Sequence, residues 1–474
     1  MTADNDLDKR LAQIIPSERQ FRFQQLEFYA FIHFTVNTFT DREWGGGTEN
    51  PSIFDPKKLD AEQWVKSVKS AGMKGLILTC KHHDGFCLWQ TQFTKHSVSS
   101  SPWKGGKGDV VREVSDACKK HGIKFGVYLS PWDMNCPLYG QGKAYDDFFV
   151  GQLTELLTNH GDIFSVWLDG ACGEGPNGKK QYYDWDRYYK VIRELQPNAC
   201  ISVCGPDIRW CGNEAGHTRT AEWSVVPERA RDSEIISEKS QHSDNEGFRQ
   251  RRIDARDNDL GSRQVLKDEE SLIWYPAEVN TSIRPGWFWH QSEDDKVRSL
   301  DELVNIYNNS VGGNATFLLN IPPARDGLLH ENDVKRLTEL GEYIKNTFAE
   351  NIAENAILFT DSGNIEAART DDYDTYYIAK KTTAEIIAEW SDPVTIGCIV
   401  LKENILMGQR VESFTVEAEI DGKYTEIYRG TVIGYKRIIP LKNMITKSLR
   451  IKITDSRTEP TLAFIGIYKG KKRS

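Results

Sequence analysis

The chain has 474 residues, more than one hydrophobic core usually spans, so two or more domains are expected. Apolar and charged fractions of 39% and 27% describe an ordinary globular protein, and a net charge of -9 gives none of the basic footprint that nucleic acid or an anionic membrane would need. A neutral ligand fits better, and the 13 Trp suit one with an apolar face and polar edges, as a sugar has, although a Trp serves a core equally well.

The opening residues, Met1–Arg10, are polar and lack the apolar stretch of a secretion signal, and no run reaches transmembrane length, so the chain reads as soluble. An extracytoplasmic location is favoured if a signal peptide has been removed ahead of it; nothing in the sequence sets the oligomeric state. Nine Cys, an odd number with no C-x-x-C pair, read as buried free thiols.

Short apolar runs then alternate with helical patterns. Phe28–Thr35 is predicted as a first strand, and a helix over Leu59–Met73 opens with a capping-box pattern, Asp60 and Gln63. Lys74–Cys80 is the second strand; a helix follows over Asp109–His121, ending at Gly122. Ile123–Leu129, a helix over Ala144–His160, Ile163–Leu168 and Cys200–Cys204 continue the series. Continuous apolar strands between helices imply a parallel sheet covered on its outer side, and such units repeated over this length favour a TIM-type (β/α) barrel. No G-x-G-x-x-G follows the first strand, which weakens a dinucleotide-binding alternative.

Beyond residue 205 the alternation degrades. Residues 226–270 are dense in charge and read as a long excursion, expected to lie over the catalytic face. Ile273–Val279, a helix over Leu300–Ser310, Thr316–Ile321 and a helix over Asn332–Phe348 would close the barrel irregularly. The period changes to two after about residue 351. Ile396–Leu401, Phe414–Ile420, Lys423–Tyr428, Thr431–Ile433, Leu449–Ile453 and Leu462–Tyr468 form an all-β sandwich pattern. The predicted organisation is a catalytic barrel over 1–350 and a β-sandwich domain over 351–474.

In a barrel the chemistry sits at the C-terminal ends of strands. Those ends carry His33, the segment Lys81–Phe86 with His82 and His83, Ser130–Asp133, Trp167–Gly170 with Asp169, and Asn320. Polar and aromatic residues gather there, and the same strands are almost purely apolar further back. Asp169 lies between an apolar strand and a Gly turn, where an unpaired carboxylate is costly; it needs partners or a task. His82, His83 and Arg284 are candidate partners. The paired His could instead bind metal, but the end of the first strand reads His33-Phe34-Thr35 rather than His-x-His, and adjacent strand residues point to opposite faces. Hydrogen bonding to sugar hydroxyls is preferred, with no metal and no cofactor.

The combination of Phe31-Ile32-His33-Phe34, Glu43-Trp44-Gly45, Lys81-His82-His83-Asp84-Gly85-Phe86, Trp89, Gly126-Val127-Tyr128, Ser130-Pro131-Trp132 and Trp167-Leu168-Asp169-Gly170 resembles the α-L-fucosidases of glycoside hydrolase family 29, over residues 20 to about 345. The resemblance implies a retaining hydrolase with Asp169 as nucleophile. It also implies a fucose pocket built from His33, Trp44, His82, His83, Tyr128, Arg284 and either Trp287 or Trp289. Gly212-Asn213-Glu214-Ala215-Gly216 resembles the branch that removes α-1,3/4-linked fucose from branched glycans, which makes Glu214 the implied acid/base and Glu222 its rival. Segments around Leu401–Ile405, Gly408–Val411 and Leu449–Thr454 resemble a discoidin-type galactose-binding sandwich. Three alternatives stay open at this point: a broad-specificity fucosidase, a metal-dependent hydrolase, and a non-catalytic carbohydrate-binding barrel in which Asp169 and Glu214 are incidental.

Overall fold

The computed structural model describes residues 2–239 and 259–470. Eight parallel strands form the first unit: β1 (Phe28–Ile32), β2 (Gly75–Lys81), β3 (Lys124–Leu129), β4 (Ile163–Leu168), β5 (Cys200–Val203), β6 (Arg209–Trp210), β7 (Ala277–Ser282) and β8 (Ala315–Asn320). Their order is β5-β4-β3-β2-β1-β8-β7-β6, and a parallel bridge from Ser202 to Ile208 joins the two ends into a barrel.

The outer wall is made by α1 (Ala61–Ser70), α2 (Val110–His121), α3 (Lys143–Asn159), α4 (Trp185–Leu195), α5 (Leu300–Ser310) and α6 (Glu331–Thr347). Alternate strand residues divide the core. Phe28, Ala30 and Ile32 face outward with Leu76, Val127 and the helices, whereas Tyr29, Phe31, Ile77, Tyr128, Trp167 and Leu318 fill the interior. Phe164 explains two interior glycines: a Cβ at Gly75 or Gly126 would come within 3.0 Å of its ring.

The helix starts follow their caps. Asp60 accepts from the Glu62 and Gln63 amides and Asp109 from Arg112, while Gly122 takes the left-handed conformation that ends α2. The capping box predicted at α1 is only half formed, because Gln63 is drawn away into a two-way bond with the backbone of Leu329. No helix separates β5 from β6, so closure is irregular. The chain turns back within five residues, with the β-branched Val203 at φ 68°. Ile273–Val279, read as one strand, is two. Leu272–Trp274 pairs antiparallel with Val225–Pro227, and β7 begins after Pro276.

The excursion is placed only in part. Residues 240–258 of the excursion expected over the catalytic face lie outside the described residues. Its later part is not over that face: Arg263 bridges Asp8 and Asp455, and Arg457 bonds the Gly261 carbonyl, docking this stretch on the N-terminal helix and the second domain.

The second domain is antiparallel. Its central strands are long: β9 (Ala384–Lys402) and β11 (Arg437–Ser456), flanked by β10 (Val411–Ile420), with β12 (Phe464–Lys469) on β9. The pairing of the two long strands breaks register between Glu389 and Val394 of β9, opposite Ser448 and Thr446 of β11, and residues from both halves share one apolar cluster, including Ile386, Ile399, Leu449 and Ile439. Thr431–Ile433 is a connection rather than a strand, with Val432 and Ile433 buried. Cys398, Val400, Ile438 and Phe464 pack into the barrel's own core. Among the described residues no helix is long and apolar enough to cross a membrane.

Candidate active site

A cavity of about 710 Å3 opens at the C-terminal end of the barrel. Its lining includes His33, Trp44, His82, His83, Asp169, Glu214 and Trp287 from among the sequence-predicted residues. Phe31, Trp167, Ala171, Val203, Trp210 and Asn280 complete it.

Asp169 follows β4. Its Oδ2 accepts from the Tyr128 hydroxyl at 2.8 Å and its Oδ1 from the Ala171 amide at 3.0 Å. His83 Nε2 stands 3.5 Å from Oδ2. Tyr128 is wholly buried beneath the carboxylate, and burial beside Asp169 pushes its phenol well above the ordinary range, so it remains a donor. It aims the carboxylate and does not line the cavity.

His33 and His83 are each held in one orientation. Asn320 directs its amide protons to Ser282 Oγ and the Trp287 carbonyl, so its Oδ1 accepts from His33 Nδ1 at 2.8 Å. Ser130 donates to the Trp132 carbonyl at 2.7 Å and accepts from His83 Nδ1 at 2.8 Å. Burial lowers all three His: His33 to about 4, His82 well below its usual value, and His83 downward against the pull of Asp169. At neutral pH they are therefore neutral imidazoles. With Nδ1–H engaged, His33 and His83 offer Nε2 as an acceptor, which suits a hydroxyl donor.

Glu214 reaches the cavity from the loop after β6, where Trp287 Nε1 donates to its Oε2 at 3.1 Å. Glu222 is elsewhere. It is 1% exposed, ion-paired with Arg209 and Arg219, and its carbonyl accepts from Asn314. Those arginines hold it below the ordinary carboxylate range despite burial. It joins β6 to the second domain.

Besides Tyr128, which lies beneath the cavity, two expected pocket residues are not there. Arg284 is enclosed: Nε and Nη2 bond Asp333 at 2.7–3.0 Å and Nη1 bonds Asp294 at 2.9 Å. Trp289 donates to the same Asp294 at 3.0 Å and lines a different depression, beside Arg325 and His330. The reason is local. Two carboxylates engage all three guanidinium nitrogens on the α6 side of the β7 loop, and of the two Trp in that loop only Trp287 lines the cavity.

Sequence reasoning missed Trp210 and Asn280, and named Trp167 at a strand end without placing it in the pocket. The Trp167 indole donates at 2.8 Å to Glu278, a carboxyl buried in the barrel interior that also binds Tyr29. Trp210 and Asn280 bond each other at 2.9 Å, but β6 is two residues long and gave no periodicity to find. Glu43, present in the quoted motif, supports the cavity from behind by accepting from the Trp287 and Phe288 amides.

A barrel whose catalytic end gathers carboxylates, neutral His and indole rings around one cavity has the make-up of a sugar-processing hydrolase. The sequence profile of the family described as "Alpha-L-fucosidase" matches residues 13–348. The chain is 39% identical to Alpha-L-fucosidase 1 of Arabidopsis thaliana over 473 residues, covering 96% of this chain and 88% of that one. A solved structure from Bacteroides ovatus superposes with a TM-score of 0.86 at 45% identity, covering 100% of this chain and 77% of that one. The Ruminococcus gnavus fucosidase solved in complex with fucose gives 0.83 at 30% identity, covering 97% and 95%. The chain belongs to the α-L-fucosidase family, and is a glycoside hydrolase of the retaining kind. That sets aside the non-catalytic barrel.

Proposed function

We propose that the cavity removes terminal fucose linked α-1,3 or α-1,4 in branched glycans, with Asp169 as nucleophile and Glu214 as acid and then base. One observation carries this reading. Asp169 and Glu214 line one cavity from different loops, whereas the rival Glu222 is locked between two arginines.

Asp169, aimed by Tyr128 and Ala171, attacks the anomeric carbon while Glu214, its rotamer fixed by Trp287, protonates the departing oxygen. Glu214 then takes a proton from water, which releases fucose with its configuration kept. His33, His82 and His83 accept from or donate to the fucose hydroxyls. Trp167, Trp287 and Phe31 supply an apolar wall that accepts the C5 methyl and would leave the hydroxyl of a hydroxymethyl sugar unpaired. The fucose named in the Ruminococcus gnavus complex supports this substrate class. The Gly212–Gly216 loop, which brings Glu214 to the rim, supports the branched-substrate assignment.

The catalytic unit is taken as 1–350. The remaining domain is taken as discoidin-like, serving to pack against the barrel. A hydrolysis panel tests the whole reading: an aryl fucoside, an α-1,2-linked fucoside, and a trisaccharide bearing galactose and fucose on one N-acetylglucosamine. The trisaccharide should be cleaved with the highest kcat/KM. Equal kcat/KM for it and the aryl fucoside removes the linkage assignment and leaves the fucosidase.

A further inference from the structure

A second depression, of about 970 Å3, lies at the same end of the barrel on its β1–β3 side. Glu49 and Asn50 come to it from the loop after β1, Lys95 and His96 from the loop after β2, and Asn135 from the loop after β3. Its floor is preformed. Gly47 sits at φ 76° so close to residue 134 that a Cβ would meet the Met134 backbone at 2.3 Å, and Asn135 Nδ2 bonds the Gly47 carbonyl at 2.7 Å. Three residues before Gly47, Trp44 lines the main cavity.

Two buried polar atoms here find no hydrogen-bond partner among the described residues: Glu49 Oε2 and His96 Nε2. His96 is 6% exposed, and its ring is held by the backbone of Asp84. The other Glu49 oxygen is already engaged by the Gly46 amide at 2.6 Å. A buried polar atom without a partner is costly, so the pair marks where a ligand's protons would go. Burial lowers His96, which leaves Nε2 an acceptor at neutral pH. The wall thus presents two acceptors beside an ammonium, Lys95, and the amide of Asn135. A simple anion is opposed by Glu49, and a simple cation by Lys95. A ring of hydroxyls, each both donor and acceptor, answers the whole set.

We propose that this depression is a second saccharide subsite, in which Glu49 Oε2 and His96 Nε2 accept hydrogen bonds from hydroxyls of a hexose remote from the cleaved fucose. The proposal rests on the glycan-hydrolase reading of the main cavity and adds a docking point for a distant part of the same glycan, past Trp44.

The test uses the full-length Asp169→Asn protein with 15N-labelled histidine and a fucose-free N-acetyllactosamine tetrasaccharide. The His96 Nε2 signal, assigned by its loss in His96→Gln, should move as the sugar is added. Glu49→Gln and Lys95→Ala should each raise the Kd about fivefold or more, the loss of one hydrogen bond to a charged group. Lys95 is exposed, so its variant decides the matter should Glu49→Gln fail to fold. With Asp169 intact, Lys95→Ala should hydrolyse an aryl fucoside at the parent rate. A His96 signal that stays still at saturating sugar, or a Kd unchanged in the folded variants, overturns the proposal. Failure of the unaltered protein to cleave any fucoside would instead overturn the main-cavity reading and leave the His96 result standing.

Discussion

The main cavity and the Arg284 cluster draw on the same residue types, yet they are built for opposite ends. Around Arg284, two carboxylates close on the guanidinium until each of its nitrogens has a partner, and an indole bonds one of those carboxylates. Around Asp169, the partners hold the carboxylate from one side and leave its other side to a cavity. Glu222 and Glu214 repeat the contrast eight residues apart. A charge set complete within the protein is architecture; one completed only by a ligand is chemistry.

The contrast is broken most severely at Asp169. Asp169→Asn should lower the hydrolysis rate by about four orders of magnitude or more, since a covalent route is lost, while fucose still binds and the melting temperature barely moves. Retention of a tenth of the activity would remove Asp169 as nucleophile. Glu214→Gln should cost roughly 10²–10⁴-fold on a glycan, the usual contribution of a positioned acid, and much less on an aryl fucoside whose leaving group needs no proton. Equal losses on both substrates would deny Glu214 the acid role.

The architectural side should answer in stability instead. Asp333→Asn strands part of a buried guanidinium and should destabilise by about 3–5 kcal/mol in denaturant unfolding, with kcat of the folded fraction within a few-fold of the parent. A large kcat loss without unfolding would return Arg284 to the active site.

Glu278 sharpens the comparison, being a carboxyl buried with only neutral donors. Burial raises it to about 7. A carboxyl raised on folding favours the fold when protonated, and this contribution is lost as pH climbs from about 4.5 to about 7. Glu278→Gln should therefore flatten the stability profile across that window and gain about 3 kcal/mol relative to the parent above pH 7. A parallel profile would mean that the residue is already ionised. The smallest effect is expected at Trp287→Phe, which keeps the ring wall and removes one N–H bond to Glu214, worth about 1 kcal/mol or some fivefold in kcat/KM.

Much of this was legible in the chain. Buried parallel strands announce themselves as apolar runs, and the residues just past them are where a barrel must place its chemistry, so Asp169, His33, His82 and His83 could be named from position. Glu214 and Trp44 depended on family resemblance, because neither follows a readable strand. Arg284 was misplaced since its partner Asp333 lies 49 residues away on another element, a distance at which sequence gives no pairing signal. Trp287 and Trp289 differ only in which way a loop turns. The long strands β9 and β11 were read only in part, as Ile396–Leu401 and Leu449–Ile453, because their bends interrupt the alternation.

Cys398, Val400, Ile438 and Phe464 belong by sequence to the second domain and by packing to the barrel. Lys436 and Lys402 add ion pairs to Glu27, whose carboxyl they hold near 2 despite its burial. A chain cut at residue 350 would expose this apolar seam and leave Glu27 with Lys74 as its remaining cation. The two halves should accordingly melt in a single calorimetric transition, and the barrel expressed alone should aggregate: the sandwich is a staple closing the barrel's flank.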